Sequence, residues 1–203
     1  VGPKIDYVAV QTYNGYTGDK MTVVLAKPLL YMHFNKKAEG IALEDYKPGD
    51  KLIPFKVVGE YKGTDLVGME YEQLIPWVKP VELDEDGNWK EASAKAFRVI
   101  PGDYVTTEDG TGIVHIAPTF GADDANVARA AGIPSLFMIN KKGETRPMVD
   151  LTGKFYLMDE LDENFVKECI DVDAYKEYQG RWVKNAYDPQ FTVDGKYDEK
   201  AAQ

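Results

Sequence analysis

Residues 110–132 restrict the possible folds more than any other part of the sequence, because three different elements follow one another there. Residues 111–117 have the alternating pattern of a strand, which Pro118 ends. An alanine-rich run then follows two adjacent aspartates and is closed by Gly132, a pattern typical of a short helix. We therefore predict a strand, a loop and a helix, and four side chains share one face of that strand: Thr111, Ile113, His115 and Ala117.

Several other segments carry strand patterns and are separated by glycine and proline. Residues 7–13 and 21–26 are rich in Val, Tyr, Thr and Leu and enclose Asn14-Gly15 and Gly18-Asp19, which predicts a β-hairpin. Pro28 opens a short apolar stretch that is predicted to be helical. Further strands are predicted at 55–61, 96–100, 103–107 and 136–139, and helices within 158–178. Together these elements predict an α+β fold, a barrel-like β-rich domain with peripheral helices.

The length of 203 residues and the hydrophobic content of 44% allow one sizeable core. We predict a single domain over residues 1–203. Its core covers roughly residues 1–153, and residues 154–203 form a helical extension. The opening Val1-Gly2-Pro3 suggests a piece of a longer chain.

The net charge of −10 argues against a broad surface for the phosphate backbone of a nucleic acid, because such surfaces consist of clustered Lys and Arg. A nucleic-acid partner would have to be held locally. The single cysteine, Cys169, cannot form an internal disulfide, and no run of about 18 apolar residues is present to cross a membrane. We expect a cytoplasmic protein with no membrane partner.

Three common catalytic arrangements are not supported by the residue spacing. The histidines, His33 and His115, lie outside any metal-binding spacing, so no metal site is expected. Ser93 and Ser135 lack the surroundings of a serine nucleophile. Gly110-Thr111-Gly112 is not followed by the Lys and Ser or Thr of a phosphate-binding loop.

Each of the two most promising polar residues has a structural interpretation beside the functional one. His115 could be a core histidine satisfied by one hydrogen bond. Asp124 could cap the following helix, because an aspartate at a helix start accepts backbone N–H groups. Two adjacent aspartates allow one to cap while the other points its carboxylate into a cleft, where it would bind an ammonium group.

The sequence resembles the editing domains of isoleucyl-tRNA synthetases, within the class I (Val/Ile/Leu) group. The resemblance depends on Gly110-Thr111-Gly112-Ile113-Val114-His115 with Ala117-Pro118, and on Gly121-Ala122-Asp123-Asp124. It is supported by a second segment, Gly63-Thr64-Asp65-Leu66-Val67-Gly68 with Tyr71 and Leu74, and by the opening Tyr7-Val8-Ala9-Val10. Two features depart from the family: the upstream threonine-rich segment is missing, and Phe120 replaces a histidine.

This resemblance implies hydrolytic proofreading, the deacylation of tRNA(Ile) that carries valine. It implies that Asp124 holds the substrate α-ammonium and that His115 sets the size limit for the side chain. Further substrate-binding residues would be Thr111, Gly112, Ile113 and Asp123. Editing would need no cofactor, whereas the parent enzyme would use ATP and Mg. The partners would be the tRNA 3′ end and the remainder of the synthetase chain, and this fragment itself would not aminoacylate.

Other functions remain open on the sequence alone. The related valyl-tRNA synthetase editing domain shares the Gly-Thr-Gly-x-Val-His form. A non-catalytic module that only grips the 3′ end of RNA is an alternative of another class, and a stand-alone deacylase is a third. The aspartate pair downstream of His115 favours the enzyme.

Overall fold

The computed structural model describes residues 1–194, 196–198 and 200, and it divides the chain into two compact units. The first unit consists of Val1–Tyr71 and Arg98–His115. The second consists of Glu72–Phe97 and the chain from Ile116 onward. Since two compact units can still unfold together, the single domain stays a prediction.

The first unit is built on a three-stranded antiparallel sheet. Strand β1 (Asp6–Tyr13) lies in the centre, with β2 (Lys20–Ala26) on one side and β3 (Lys56–Lys62) on the other. The apolar run of β1 is buried, whereas the outer strands are more exposed, as expected for the edges of a sheet. The predicted hairpin is confirmed, and Tyr7 pairs with Ala26 across it.

Short helices complete the first unit. A 3₁₀ turn, Lys27–Leu29, has Pro28 in its first turn and leads into α1 (Leu30–His33), which confirms the predicted helical stretch. Helix α2 spans Gly63–Leu66, and two further 3₁₀ turns span Lys36–Ala38 and Leu43–Asp45. Leu30 packs in a core cluster with apolar side chains from β1, β2 and the loops: Val8, Val10, Leu25, Ala38 and Phe55.

In its described residues, the second unit contains small hairpins and three α-helices. Its elements are β4 (Val81–Leu83), β5 (Trp89–Glu91), α3 (Ala122–Ala130), β6 (Met138–Ile139), β7 (Thr145–Arg146), α4 (Glu163–Cys169), α5 (Val172–Tyr175), β8 (Thr192–Val193) and β9 (Lys196–Tyr197). Further 3₁₀ turns span Ser93–Lys95, Met158–Glu160, Asn185–Tyr187 and Pro189–Phe191. Strands pair antiparallel as β4 with β5, β6 with β7, and β8 with β9. The predicted helices within 158–178 are confirmed as α4 and α5.

The core of the second unit draws on distant parts of the chain. The predicted helical extension provides more than half of it, together with residues near β4 and β6. Its buried members are Val78, Val81, Met138, Ile139, Leu161, Phe165, Cys169, Ile170 and Tyr175. Residues 154–178 are therefore structural in this unit and are not a peripheral addition.

Three predicted strands are wrong. Residues 96–100 form only one bridge, between Glu70 and Arg98, and residues 103–107 and 111–117 join no sheet. Positive φ angles at Phe97 and Gly112 take the backbone out of the extended region in two of these segments, and residues 103–104 form a turn in the third. The mixed α and β content is confirmed, but the described strands form one three-stranded and three two-stranded sheets instead of a closed barrel.

Within the described residues, no helix is both long and apolar enough to cross a membrane.

Candidate functional site

Residues 110–112 form a tight turn in the first unit. Gly110 and Gly112 have φ angles of +63° and +71°, which L side chains rarely adopt. A Cβ atom added to Gly112 would lie 2.5 Å from the Cβ of Ala26. Gly112 is therefore required for both its conformation and its close approach to the end of β2.

Three consecutive carbonyl oxygens of this turn are each bound by a different element. His33 Nε2, at the end of α1, lies 2.6 Å from the Gly110 oxygen. The N–H of Ala26 donates to the Thr111 oxygen over 2.8 Å. The hydroxyl of Tyr7, on β1, donates to the Gly112 oxygen over 2.7 Å. The turn is thus attached to the sheet and to α1 by bonds that fix its backbone.

The segment from Ile113 to His115 follows this turn without regular secondary structure, and its side chains are exposed. Ile113 is 40% exposed and Val114 is 46% exposed, so both are accessible to a ligand. Thr111 Oγ1 lies 3.4 Å from both backbone groups of Ile113, at the limit of hydrogen bonding. Because His115 is exposed, the alternative of a core histidine is wrong.

A second loop, residues 117–121, precedes α3 in the second unit. The carbonyl of Ala117 accepts the N–H groups of Phe120 and Gly121 at 3.0 and 3.2 Å. Thr119 Oγ1 donates to the carbonyl of Leu136 over 2.7 Å. Phe120 is 66% exposed at the tip of this loop. The loop is therefore a closed turn with an aromatic side chain presented to solvent.

Asp123 and Asp124 occupy the first turn of α3, which begins at Ala122, three residues before the predicted alanine-rich run. Asp124 Oδ2 accepts the backbone N–H of Ala117 over 2.9 Å. The N-cap position is Gly121, and no side chain caps it. The capping alternative is therefore wrong for Asp124, since its carboxylate binds the preceding loop and not the N–H groups of its own helix.

The second oxygen of this carboxylate, Oδ1, accepts no hydrogen bond from the part of the chain that the structure describes. The side chain is half-buried, whereas that of Asp123 is exposed. A Cβ at Gly121 would lie 3.1 Å from Asp124 Oδ2, closer than usual. The glycine thus leaves room for a carboxylate that is anchored by one oxygen and can receive a cation on the other.

The candidate residues are distributed over both units. Thr111, Gly112, Ile113 and His115 belong to the first, whereas Asp123 and Asp124 belong to the second. Their joint action on one substrate stays a prediction. Sequence reasoning missed Tyr7, Ala26 and His33, which hold the turn. The signal for Tyr7 was available, because a tyrosine within a buried apolar strand needs a partner for its hydroxyl.

A metal centre is not found at the described candidate residues, and a cavity in the second unit lies elsewhere. Among the described residues, no group of three or more His, Cys, Asp or Glu side chains could hold a metal ion. A cavity of about 360 Å³ lies in the second unit, between α4 and the turns of two hairpins. Its lining includes Trp89, Ile139, Asp162, Phe165 and Cys169 and none of the candidate residues.

Comparison with known proteins shows that the chain is similar to isoleucine–tRNA ligases of several bacteria. The chain is 84% identical over all 203 residues to the isoleucine–tRNA ligase of Bacteroides thetaiotaomicron, of which it spans 17%. It is 71% identical over 192 residues, 95% of the chain, to the isoleucine–tRNA ligase of Bacteroides fragilis. It is 54% identical over 189 residues, 93% of the chain, to that of Porphyromonas gingivalis. The chain spans 16% of the Bacteroides fragilis relative and 16% of the Porphyromonas gingivalis relative. No family model matches the chain.

Proposed function

Because the chain belongs by sequence to the isoleucine–tRNA ligases, of which it spans 17% in the Bacteroides thetaiotaomicron relative, we propose that it is their proofreading domain. In this proposal it has the class I editing-domain fold and hydrolyses valine from tRNA(Ile). Its partners are the 3′ end of that tRNA and the rest of the ligase, whose own reaction uses ATP and Mg. The isoleucine–tRNA ligase names of the relatives favour this assignment over the valyl alternative.

Such a domain is needed because valine differs from isoleucine by one methylene group. A hydrophobic pocket separates the two by only about 1–3 kcal/mol, a limit for which this very enzyme family is the standard example. A second site that admits valine and excludes isoleucine must then remove the wrong product. The reaction is the addition of water to the ester carbonyl carbon, followed by cleavage of the bond to the ribose oxygen, which releases valine and free tRNA.

The observation that carries the proposal is the carboxylate of Asp124. One oxygen is fixed by the Ala117 N–H at 2.9 Å, which orients the group, and the other accepts no bond from the described residues. An aminoacyl ester carries a free α-ammonium group, and an RNA 3′ end without an attached amino acid does not. A charge-assisted bond from that ammonium to Oδ1 would contribute about 1.5–3 kcal/mol.

His115 supplies the size limit in this proposal. Its exposed imidazole follows two exposed apolar side chains, so a small apolar group could contact all three. Thr111, Gly112, Ile113 and Asp123 contribute the remaining substrate contacts. No general base is assigned: positioning of the ester and of a water molecule, helped by the terminal ribose hydroxyl, carries the reaction.

The test uses a full-length isoleucine–tRNA ligase in which this chain occupies the matching segment. We expect hydrolysis of valyl-tRNA(Ile) to be much faster than that of isoleucyl-tRNA(Ile). Replacement of His115 by Ala should increase hydrolysis of the isoleucyl ester, because the larger side chain then fits. Binding of the tRNA without hydrolysis of either ester would instead indicate a non-catalytic module for RNA 3′ ends and would overturn the proposal.

A further inference from the structure

The turn at residues 110–112 is bonded to the sheet of the first unit directly before Ile113. Of its three donors, His33 is an exposed side chain and Ala26 is a backbone group. Tyr7 is different, because its side chain is fully buried and it reaches the last carbonyl, that of Gly112. Gly112 directly precedes the segment that ends at His115.

The direction of the Tyr7 bond is determined by its second partner. The N–H of Gly2 donates to the Tyr7 hydroxyl oxygen over 2.8 Å. The hydroxyl proton is then free to point at the Gly112 oxygen, 2.7 Å away. Burial raises the pKa of this phenol above its ordinary value, which keeps the proton in place across the physiological range.

Water cannot replace this bond without rearrangement. Tyr7 has no exposed surface and Gly112 is buried. Loss of the hydroxyl would leave a buried carbonyl and a buried N–H without their partner, which is costly unless the backbone moves. The backbone that would move is the one that leads into Ile113, Val114 and His115.

We propose that Tyr7 is a positioning residue for editing: its hydroxyl fixes the Gly112 carbonyl and thereby the segment from Ile113 to His115 that sets substrate size. This inference rests on the proposed proofreading function. It assigns no contact between Tyr7 and the substrate. Its consequence is that the selectivity of hydrolysis depends on a phenol buried in the sheet.

The experiment compares Tyr7→Phe with wild type in the full-length ligase that carries this chain. We expect kcat for valyl-tRNA(Ile) hydrolysis to fall about tenfold, with KM changed by less than about twofold, because the ester is misplaced and not merely bound less tightly. The ratio of valyl to isoleucyl hydrolysis should also fall. General loss of stability would lower both rates equally and would leave that ratio unchanged.

Tyr13→Phe is the matched control. Tyr13 lies on the same strand, and its hydroxyl also donates to a backbone carbonyl, that of Leu43, over 2.9 Å. Its removal should leave the selectivity ratio at the wild-type value. If Tyr7→Phe and Tyr13→Phe give the same ratio, the positioning role is wrong.

A second variant covers the case in which Tyr7→Phe does not fold. His33→Ala removes an exposed side chain that is bonded to the same turn. It should also lower the ratio of valyl to isoleucyl hydrolysis. An unchanged ratio in this variant would then overturn the inference. A wild-type ligase without any valyl-tRNA(Ile) hydrolysis would overturn the proposed function and this inference together, whereas an active wild type with unaffected variants would overturn this inference alone.

Discussion

The turn at residues 110–112 and the loop at residues 117–121 lie close in sequence but are held by bonds of different reach. The turn is bonded to His33 and Tyr7, which are 77 and 105 positions away from their partners. The loop is bonded to Asp124 and Leu136, at separations of 7 and 17 positions. The turn therefore depends on a completed sheet, whereas the loop and the start of α3 can form within a short stretch of chain.

The two segments of the candidate site are therefore positioned by contacts of different kinds. The turn positions its backbone through tertiary contacts, so its geometry is sensitive to distant residues. The loop positions the Asp124 carboxylate through neighbours, so its geometry is sensitive to the residues beside it. The following changes test that contrast in order of decreasing expected effect.

Gly112→Ala should have the largest effect on stability. The added methyl group would contact Ala26, whereas a Cβ at Gly110 would meet nothing within 4 Å. We expect the free energy of unfolding to fall by about 2–5 kcal/mol for Gly112→Ala, from the positive φ and the overpacking together, and by about 1–2 kcal/mol for Gly110→Ala. Denaturant unfolding measures both. Equal losses would show that the turn is not pressed against β2.

Asp124→Asn tests the local side of the comparison through activity. The amide oxygen can still accept the Ala117 N–H, but the negative charge is lost. We expect valyl-tRNA(Ile) hydrolysis to fall tenfold to more than a hundredfold, equivalent to about 1.5–3 kcal/mol, while isoleucine activation is retained.

Asp162→Asn provides the control for this change. Asp162 precedes α4 in the same unit and accepts the Phe165 N–H over 2.9 Å. Its replacement should leave hydrolysis at the wild-type rate. A loss of activity that is similar for both variants would assign Asp124 a structural role.

Each unit contains a buried tyrosine, and the two hydroxyl groups donate to different parts of the backbone. Tyr7 binds the turn, whereas Tyr175 donates to the Tyr156 carbonyl over 2.8 Å within the core of the second unit. Burial raises the pKa of Tyr175 well above its ordinary value. The unfolded phenol, with a pKa of about 10, therefore loses its proton first, and stability falls as the pH rises above that value.

We expect this residue to cost about 1.4 kcal/mol of unfolding free energy between pH 9 and pH 11. Urea unfolding of wild type and Tyr175→Phe at both pH values isolates that contribution. The Phe variant should lose less stability over this interval. Identical losses would show that Tyr175 ionises as readily in the folded protein as in the unfolded chain.

Thr119→Val should have the smallest effect. It removes the hydroxyl that donates to Leu136 while it keeps the shape of the side chain. We expect a loss of about 1 kcal/mol of stability, because one partly buried carbonyl loses its donor. Hydrogen exchange of residues 117–124 should increase, while exchange near residues 110–112 should not. Increased exchange in both segments would show that the two are not independent.

The same contrast explains which elements were predictable from the sequence. The hairpin of β1 and β2 and the helix α3 depend on neighbouring residues, and both were predicted with small shifts of their ends. The strand predicted at residues 111–117 was wrong because a strand needs a paired neighbour, and pairing is a long-range property. Alternation of side chains alone did not reveal that two glycines turn the backbone there.

The candidate site was predictable to a similar extent. Asp124 was located at a helix start from local signals, but its bond to Ala117 was not anticipated. His115 was identified from a motif, although its exposure was decided by the surrounding fold. Tyr7 was assigned to a strand, and its hydroxyl partner lies 105 positions away, beyond the range of any local pattern.

Each unit is assembled from two separate stretches of chain, and this has a consequence for synthesis on the ribosome. The sheet of the first unit is translated by residue 62, but the Gly112 carbonyl that Tyr7 binds emerges about 50 residues later, seconds later at common translation rates. The second unit waits longer still, because Val78 packs in one cluster with Tyr175. A nascent chain thus carries the Tyr7 phenol before its acceptor has been made, and a chaperone that shields the unfinished sheet would act before the turn at residues 110–112 exists.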